Sequence, residues 1–145
     1  MNDDRLVPYG ALLLRVSMGV MFVAYGLVLK VMTFGVAGTA GYFESIGYPA
    51  ALAYLVIAAE IGGGLALILG LFTRLVSLAL VPLMIGATLQ HAGNGWTFSA
   101  EGGGWSFPLF WVAVLLVQAL LGDGAHGLTG KVRGALGLRP SPLLA

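Results

Sequence analysis

The chain has 145 residues, 59% of them hydrophobic and only 9% charged, whereas a soluble domain devotes about a quarter of its residues to charge. Water is therefore excluded as its main solvent, and four helical spans of about 20 residues with short connections would use the length as one domain. A net charge of +1 from scattered basic residues leaves no electrostatic footprint for nucleic acid, and the absence of cysteine excludes a disulfide framework, a thiolate metal site and thiol redox chemistry carried by this chain.

Met1 to Pro8 reads as a short polar lead, with Pro8 suited to the first turn of a helix. The first apolar run, from about Tyr9 to Met32, is longer than a signal-peptide core and no small-residue cleavage pattern follows it, which predicts a retained span. Thr33 to Pro49 is Gly-rich and mixes Phe34, Tyr42, Phe43 and Tyr48 with Glu44, the composition of an interfacial segment with room for one short amphipathic helix. Ala50 to Leu71 is the second run, and Gly70, Thr73 and Arg74 supply a tight turn and a new helix start. The third run reaches His91 and contains Pro82, which predicts a bend and not a break. Ala92 to Gly104, with Asn94, Trp96 and Glu101 and followed by Trp105, reads as a second interfacial loop; Ser106 to Leu121 is the fourth run.

These elements predict an all-α fold, a four-transmembrane-helix bundle over residues 1–126 with helices at about 9–32, 50–71, 74–91 and 106–122. Residues 127–145, with Lys131, Arg133, Arg139, Pro140 and Pro142, predict a partly disordered cytoplasmic tail. Arg5, Arg74, Lys131, Arg133 and Arg139 fall on the side that holds both termini, so the expected orientation is multi-pass in the cytoplasmic (inner) membrane with both ends inside.

A charged side chain at mid-span costs roughly 2.5 to 3.5 kcal/mol, so each needs a partner, a wet cavity or a way to the interface. Glu60 falls near the middle of the second span, and Arg15 about one turn inside the first; their depths differ by roughly 9 Å, which predicts a possible pair. The alternative is a Glu60 satisfied by water or its own proton and an Arg15 that snorkels to the headgroups. Lys30 and Arg74 lie close enough to span ends for ordinary snorkelling to explain them. His91, beside Asn94, could contact a quinone oxygen, a proton path or a metal, or serve only as a hydrogen-bonded structural residue. His126 is expected on the opposite face, about 30 Å away, too far to share a haem with it, and no acidic or histidine cluster has metal spacing. Ala58, Gly62, Ala66 and Gly70, every four residues, and Gly19 with Gly26 predict close helix packing.

Leu14-Arg15, Gly19, Phe22, Gly26 and Lys30, then Phe43, Gly47 and Pro49, then Ala59-Glu60, Gly63, Gly70-Leu71 and Thr73-Arg74 form a composite pattern that continues through His91, Asn94-Gly95 and Gly103-Gly104-Trp105 with Pro108. Over about residues 11 to 125 the chain resembles the DoxX family of small bacterial membrane proteins. The resemblance implies a four-helix membrane fold and a polar set of Arg15, Lys30, Glu60, Arg74 and His91, and the family name is shared with subunits of a thiosulfate:quinone oxidoreductase and with a mycobacterial complex of oxidative-stress defence. Where the family usually has an acid after Gly103-Gly104-Trp105, this chain has Ser106, with Glu101 the nearest carboxylate.

The leading expectation is a membrane component of a redox system that binds an amphipathic ligand, with a quinone as candidate cofactor. Glu60, Arg15 and His91 are the candidate catalytic residues, and Lys30, Arg74, Asn94 and Trp105 the candidate ligand-binding ones. The lipid bilayer and a homo-oligomer or membrane complex are the expected partners. A non-enzymatic scaffold and a small proton-coupled transporter are the alternatives.

Overall fold

The computed structural model of the chain describes residues 3–139 and 141. Pro140 and Pro142, in the expected tail, lie outside the described residues. Among the described residues the structure is helical, with no strand. Helix α1 (Val7–Val23) opens with Pro8 in its first turn and runs directly into a π-helical stretch, Ala24–Thr33. After it come α2 (Val36–Ser45), α3 (Ala50–Leu69), α4 (Thr73–His91), α5 (Ser106–Leu121) and α6 (Thr129–Leu136). Val7–Thr33, Ala50–Leu69 and Thr73–Asn94 are each long and apolar enough to cross a membrane, and α5 is a shorter apolar helix. Pro82 sits inside α4 without ending it.

Helix α1 packs on α3 and α4 on α5; α3 also touches α4, and α5 touches α1, so these four apolar helices close a ring. Met18, Phe22, Leu67, Leu80, Met84, Trp111 and Leu115 fill its centre. Leucines such as Leu13, Leu55, Leu89 and Leu120 point outward, the arrangement expected where the surrounding solvent is hydrocarbon. Helix α2 lies against α3 and the π-helical stretch.

The closest helix crossing is made by Gly19 and Gly64. A Cβ on Gly64 would sit 2.7 Å from the Gly19 carbonyl oxygen, and one on Gly19 would come within 2.5 Å of the Gly64 carbonyl oxygen, so the two backbones touch through hydrogens alone. Of the small-residue stripe expected on α3, Gly62 is exposed and has nothing within reach of a Cβ; the contact with α1 is carried by Gly64, two residues on. A helix turns about 100° per residue, so a four-residue repeat marks a face without saying which neighbour it meets.

Arg15 fastens one end of the bundle. The residue is 1% exposed. Nη1 donates to the carbonyls of Leu67 (2.9 Å) and Ile68, Nε to that of Asp123 (2.8 Å), and Nη2 to that of Ala125 (3.0 Å). Leu67 and Ile68 belong to the last turn of α3, where the helix end carries partial negative charge; the Leu67 carbonyl also accepts from the Gly70 amide (3.1 Å). The chain after α5 is bound to the same place, since the Ala125 amide donates to Pro8 (2.8 Å) and the Leu128 amide to Gly70 (2.9 Å). Gly70 has φ +65, and a Cβ there would meet the Arg15 guanidinium carbon and the Gly127 Cα at 2.8 Å. The buried Thr129 hydroxyl donates to the Gly70 carbonyl (3.0 Å) and accepts from the Phe72 amide (2.6 Å), holding Phe72 at φ 48. The segment expected as a loose tail is therefore, through Thr129, part of the packed structure and continues as α6. The start of α1, the end of α3, the start of α4 and the end of α5 all meet at this one end.

Gly64→Ala should destabilise the protein by about 2 kcal/mol, because it forces the α1 and α3 backbones apart, and Gly62→Ala should leave it unchanged. Thermal unfolding of both variants in detergent checks this, and equal behaviour of the two would contradict the crossing described.

Candidate functional site

The second group of charges lies toward the other end of the bundle. Gly26 packs directly on Glu60, since a Cβ at Gly26 would stand 2.9 Å from the Glu60 Cβ, which sets Glu60 level with Gly26. Lys30 is then one turn from Glu60 along the helix, about 6 Å, while Arg15 is about 16 Å away. Lys30 Nζ accordingly lies 2.8 Å from Glu60 Oε1 and 2.8 Å from Oε2. The expected Arg15–Glu60 pair does not form; Arg15 is spent on backbone carbonyls, and Lys30, expected to snorkel, turns inward. Glu60 is 5% exposed, and at that burial the Lys30 ammonium is the group that offsets the cost of its charge. Thr39, buried on α2, donates its hydroxyl to the Lys30 carbonyl (2.8 Å) and so ties α2 to the backbone that carries the lysine.

Beside this pair is a cavity of about 960 Å³, within the range of pockets that take small organic ligands. The π-helical stretch, α2, α3, α4, the loop after α4 and α5 all contribute to its wall. Most of the lining is apolar or aromatic: Phe22 and Trp111 meet edge to face at 4.8 Å between ring centroids, and Tyr25 and Phe107 pack on Trp111 at 6.3 and 5.8 Å. The ionisable groups in it are Lys30, Glu60 and His91, besides the phenols of Tyr25 and Tyr42. The ammonium of Lys30 has three donors, of which the carboxylate takes at most two, and it lies 5.8 Å from the Tyr25 ring centroid. His91 Nδ1 is buried with no hydrogen-bond partner. An apolar chamber with one spare ammonium donor and an imidazole suits a flat molecule with polar oxygens.

The remaining candidates fall outside the cavity wall. Arg15 and Arg74 are at the fastened end, where Arg74 donates to the Ala119 carbonyl at 3.0 Å. Asn94 stands behind the wall, its amide donating to the carbonyls of Gly102 (3.1 Å) and Gly103 (3.0 Å), both of which line the cavity. Trp105 joins the same loop through its amide, bonded to the Gly95 carbonyl at 3.1 Å. Glu101 is exposed on this loop, and neither it nor Ser106 lines the cavity. His126 packs against Tyr9, at the opposite end from His91. No group of histidines and carboxylates among the described residues could hold a metal. Sequence reasoning missed Tyr25 and Trp111, which read as ordinary residues of apolar runs, and Thr39, which reads as one more small polar residue of the interfacial segment.

The DoxX family model matches residues 10–93. The chain is 40% identical over 86 residues to a Bacillus subtilis protein named "Putative oxidoreductase CatD", a match covering 59% of this chain and 62% of that one. It is 39% identical over 74 residues to the inner membrane protein YqjF of Escherichia coli, covering 51% of this chain and 55% of that one. An uncharacterized protein of Haemophilus influenzae is 33% identical over 132 residues, 90% of this chain and 96% of the relative. The matches to CatD and YqjF thus span less than two thirds of those proteins. No solved structure matches significantly.

Lys30→Met leaves the Glu60 carboxylate without its partner and should destabilise the protein by about 3 kcal/mol; the double variant Lys30→Met/Glu60→Leu should recover most of that loss. Unfolding measured on both single variants and the double variant checks the coupling, which additive losses would contradict.

Proposed function

Because this chain belongs to the DoxX family of membrane proteins, we propose that it is an inner-membrane component of a redox system that binds an amphipathic, quinone-type ligand in the cavity beside Lys30 and Glu60. The observation that carries this reading is the buried Lys30–Glu60 pair on the wall of an aromatic cavity of about 960 Å³ that also holds an unpartnered His91 Nδ1. The name of CatD agrees with a redox role and that of YqjF with the inner membrane.

In this reading Lys30 donates to one ring oxygen and His91 meets the other, while the aromatic walls stack the ring and exclude water. Glu60 holds Lys30 in place and keeps its charge at that depth. A quinone, when bound, supplies the capacity to take up electrons and protons; the chain's own groups bind it and can hold a proton at the His91 imidazole. Electrons come from a partner protein, since the chain has no cysteine for thiol redox chemistry or thiolate-bound iron–sulfur centres. Both chain ends face the cytoplasm, as the Lys and Arg distribution directs, which sets the cavity toward the outer leaflet.

Mass spectrometry of small molecules that co-purify in nanodiscs tests the proposal. Wild type should retain a quinone or related ring compound, and Glu60→Gln and His91→Ala, if they fold, should each lose at least about tenfold of it. Lipids alone, unchanged by either substitution, would instead favour a non-enzymatic scaffold.

A further inference from the structure

The cavity wall is thin on the side of the π-helical stretch. A shallower groove of about 240 Å³ runs along the outside of that stretch, lined by Ala24, Tyr25, Val28, Leu29 and Thr33. Tyr25 and Leu29 line both the groove and the cavity, so on this side the two spaces are one side chain apart. Tyr25 is 38% exposed and Val28 51% exposed. The groove falls wholly within Ala24–Thr33. π-Helical geometry is ordinarily limited to a single turn and concentrates at functional sites, so ten residues of it in a row need a reason. Thr33 donates its hydroxyl to the Val28 carbonyl at 2.8 Å, which leaves the groove an apolar wall. Tyr25 faces Lys30 on the inner side, so the residue between groove and cavity touches the polar end of the site.

We propose that the cavity's ligand is a tailed amphipath taken from the bilayer: its polar ring lies against Lys30 and His91, and its hydrocarbon chain passes out between Tyr25 and Leu29 and along the groove over Val28 and Ala24. This rests on the cavity's being the site of an amphipathic ligand and adds the path by which the ligand's hydrocarbon tail leaves it. A hydrocarbon chain gains little by leaving lipid for an apolar groove. The groove therefore acts as an exit that lets the chain leave the chamber without passing the Lys30–Glu60 pair, and blocking it affects tailed molecules alone. Val28 and Ala24 line the groove and not the cavity, so substitutions there separate the two spaces.

The test uses the full chain in nanodiscs and two probes, a decyl-tailed benzoquinone and the same ring without its tail, with binding followed by tryptophan quenching at equal mole fraction in the bilayer. Both should bind wild type. Val28→Phe and, independently, Ala24→Phe should each raise the half-saturating amount of the tailed probe about tenfold and leave that of the bare ring unchanged. Unchanged binding of the tailed probe in both variants, or equal weakening of both probes, overturns the exit route. Should the bare ring bind and depend on Glu60 while the groove variants have no effect, the cavity reading stands and the tail route falls. Absence of binding by either probe to wild type overturns both.

Discussion

In hydrocarbon the last carbonyls of a helix have no water to turn to, and at the end of α3 those of Leu67 and Ile68 are taken by the guanidinium of Arg15. The same group reaches Asp123 and Ala125, so one side chain joins the first helix, the third, and the segment that follows the fifth. Arginine suits the task because its planar fork carries five donors and never gives up its charge; lysine has fewer donors and a shorter reach around a corner. With this end fixed, the rest of the bundle is free to vary.

The opposite end shows that variation. There the α1 span changes to π-helical geometry, α2 is laid across it through Thr39 and the Lys30 carbonyl, and a glycine-rich loop held by Asn94 closes over the side of α5. Each departs from straight, close-packed helices, and between them lies the cavity. Close packing through Gly19 and Gly64 stops where Gly26 meets Glu60; beyond that level the side chains that fill the interior are aromatic and leave a chamber between them. A tight end and a hollow end follow from where the glycines of α1 and α3 oppose each other.

Much of the fold was legible in the sequence because hydropathy and length constrain membrane helices more tightly than propensity constrains soluble ones. The all-helical class, the turn at Gly70 and the continuation of α4 through Pro82 followed from those rules. The partners of the charges did not. Depth estimated from span ends put Arg15 and Glu60 within reach, but register between antiparallel helices is decided by contacts such as Gly26 on Glu60, which a hydropathy profile does not contain. The π-helical stretch was hidden for a similar reason: its residues have the same apolar composition as an α-helix. The order of residues 127–136 was missed because their polarity reads as exposure, whereas Thr129 is buried and hydrogen-bonded to Gly70 and Phe72. Lys30, Glu60 and His91 were legible as candidates because charge in lipid is costly wherever it falls.

That cost also separates the two kinds of charge this chain buries. Arg15 satisfies carbonyls that any helix end must satisfy, so its burial is accounted for by structure alone. The Lys30–Glu60 pair satisfies only itself. A well-packed apolar pair of similar volume would hold α1 to α3 at least as well, since desolvation of two ions offsets most of their attraction. What apolar side chains could not supply is a fixed ammonium with a spare donor on the wall of a largely aromatic cavity that His91, whose Nδ1 has no hydrogen-bond partner, also lines. Stability does not require that expense, and its place on the wall of the cavity is the reason to propose this pair as the site and Arg15 as the frame.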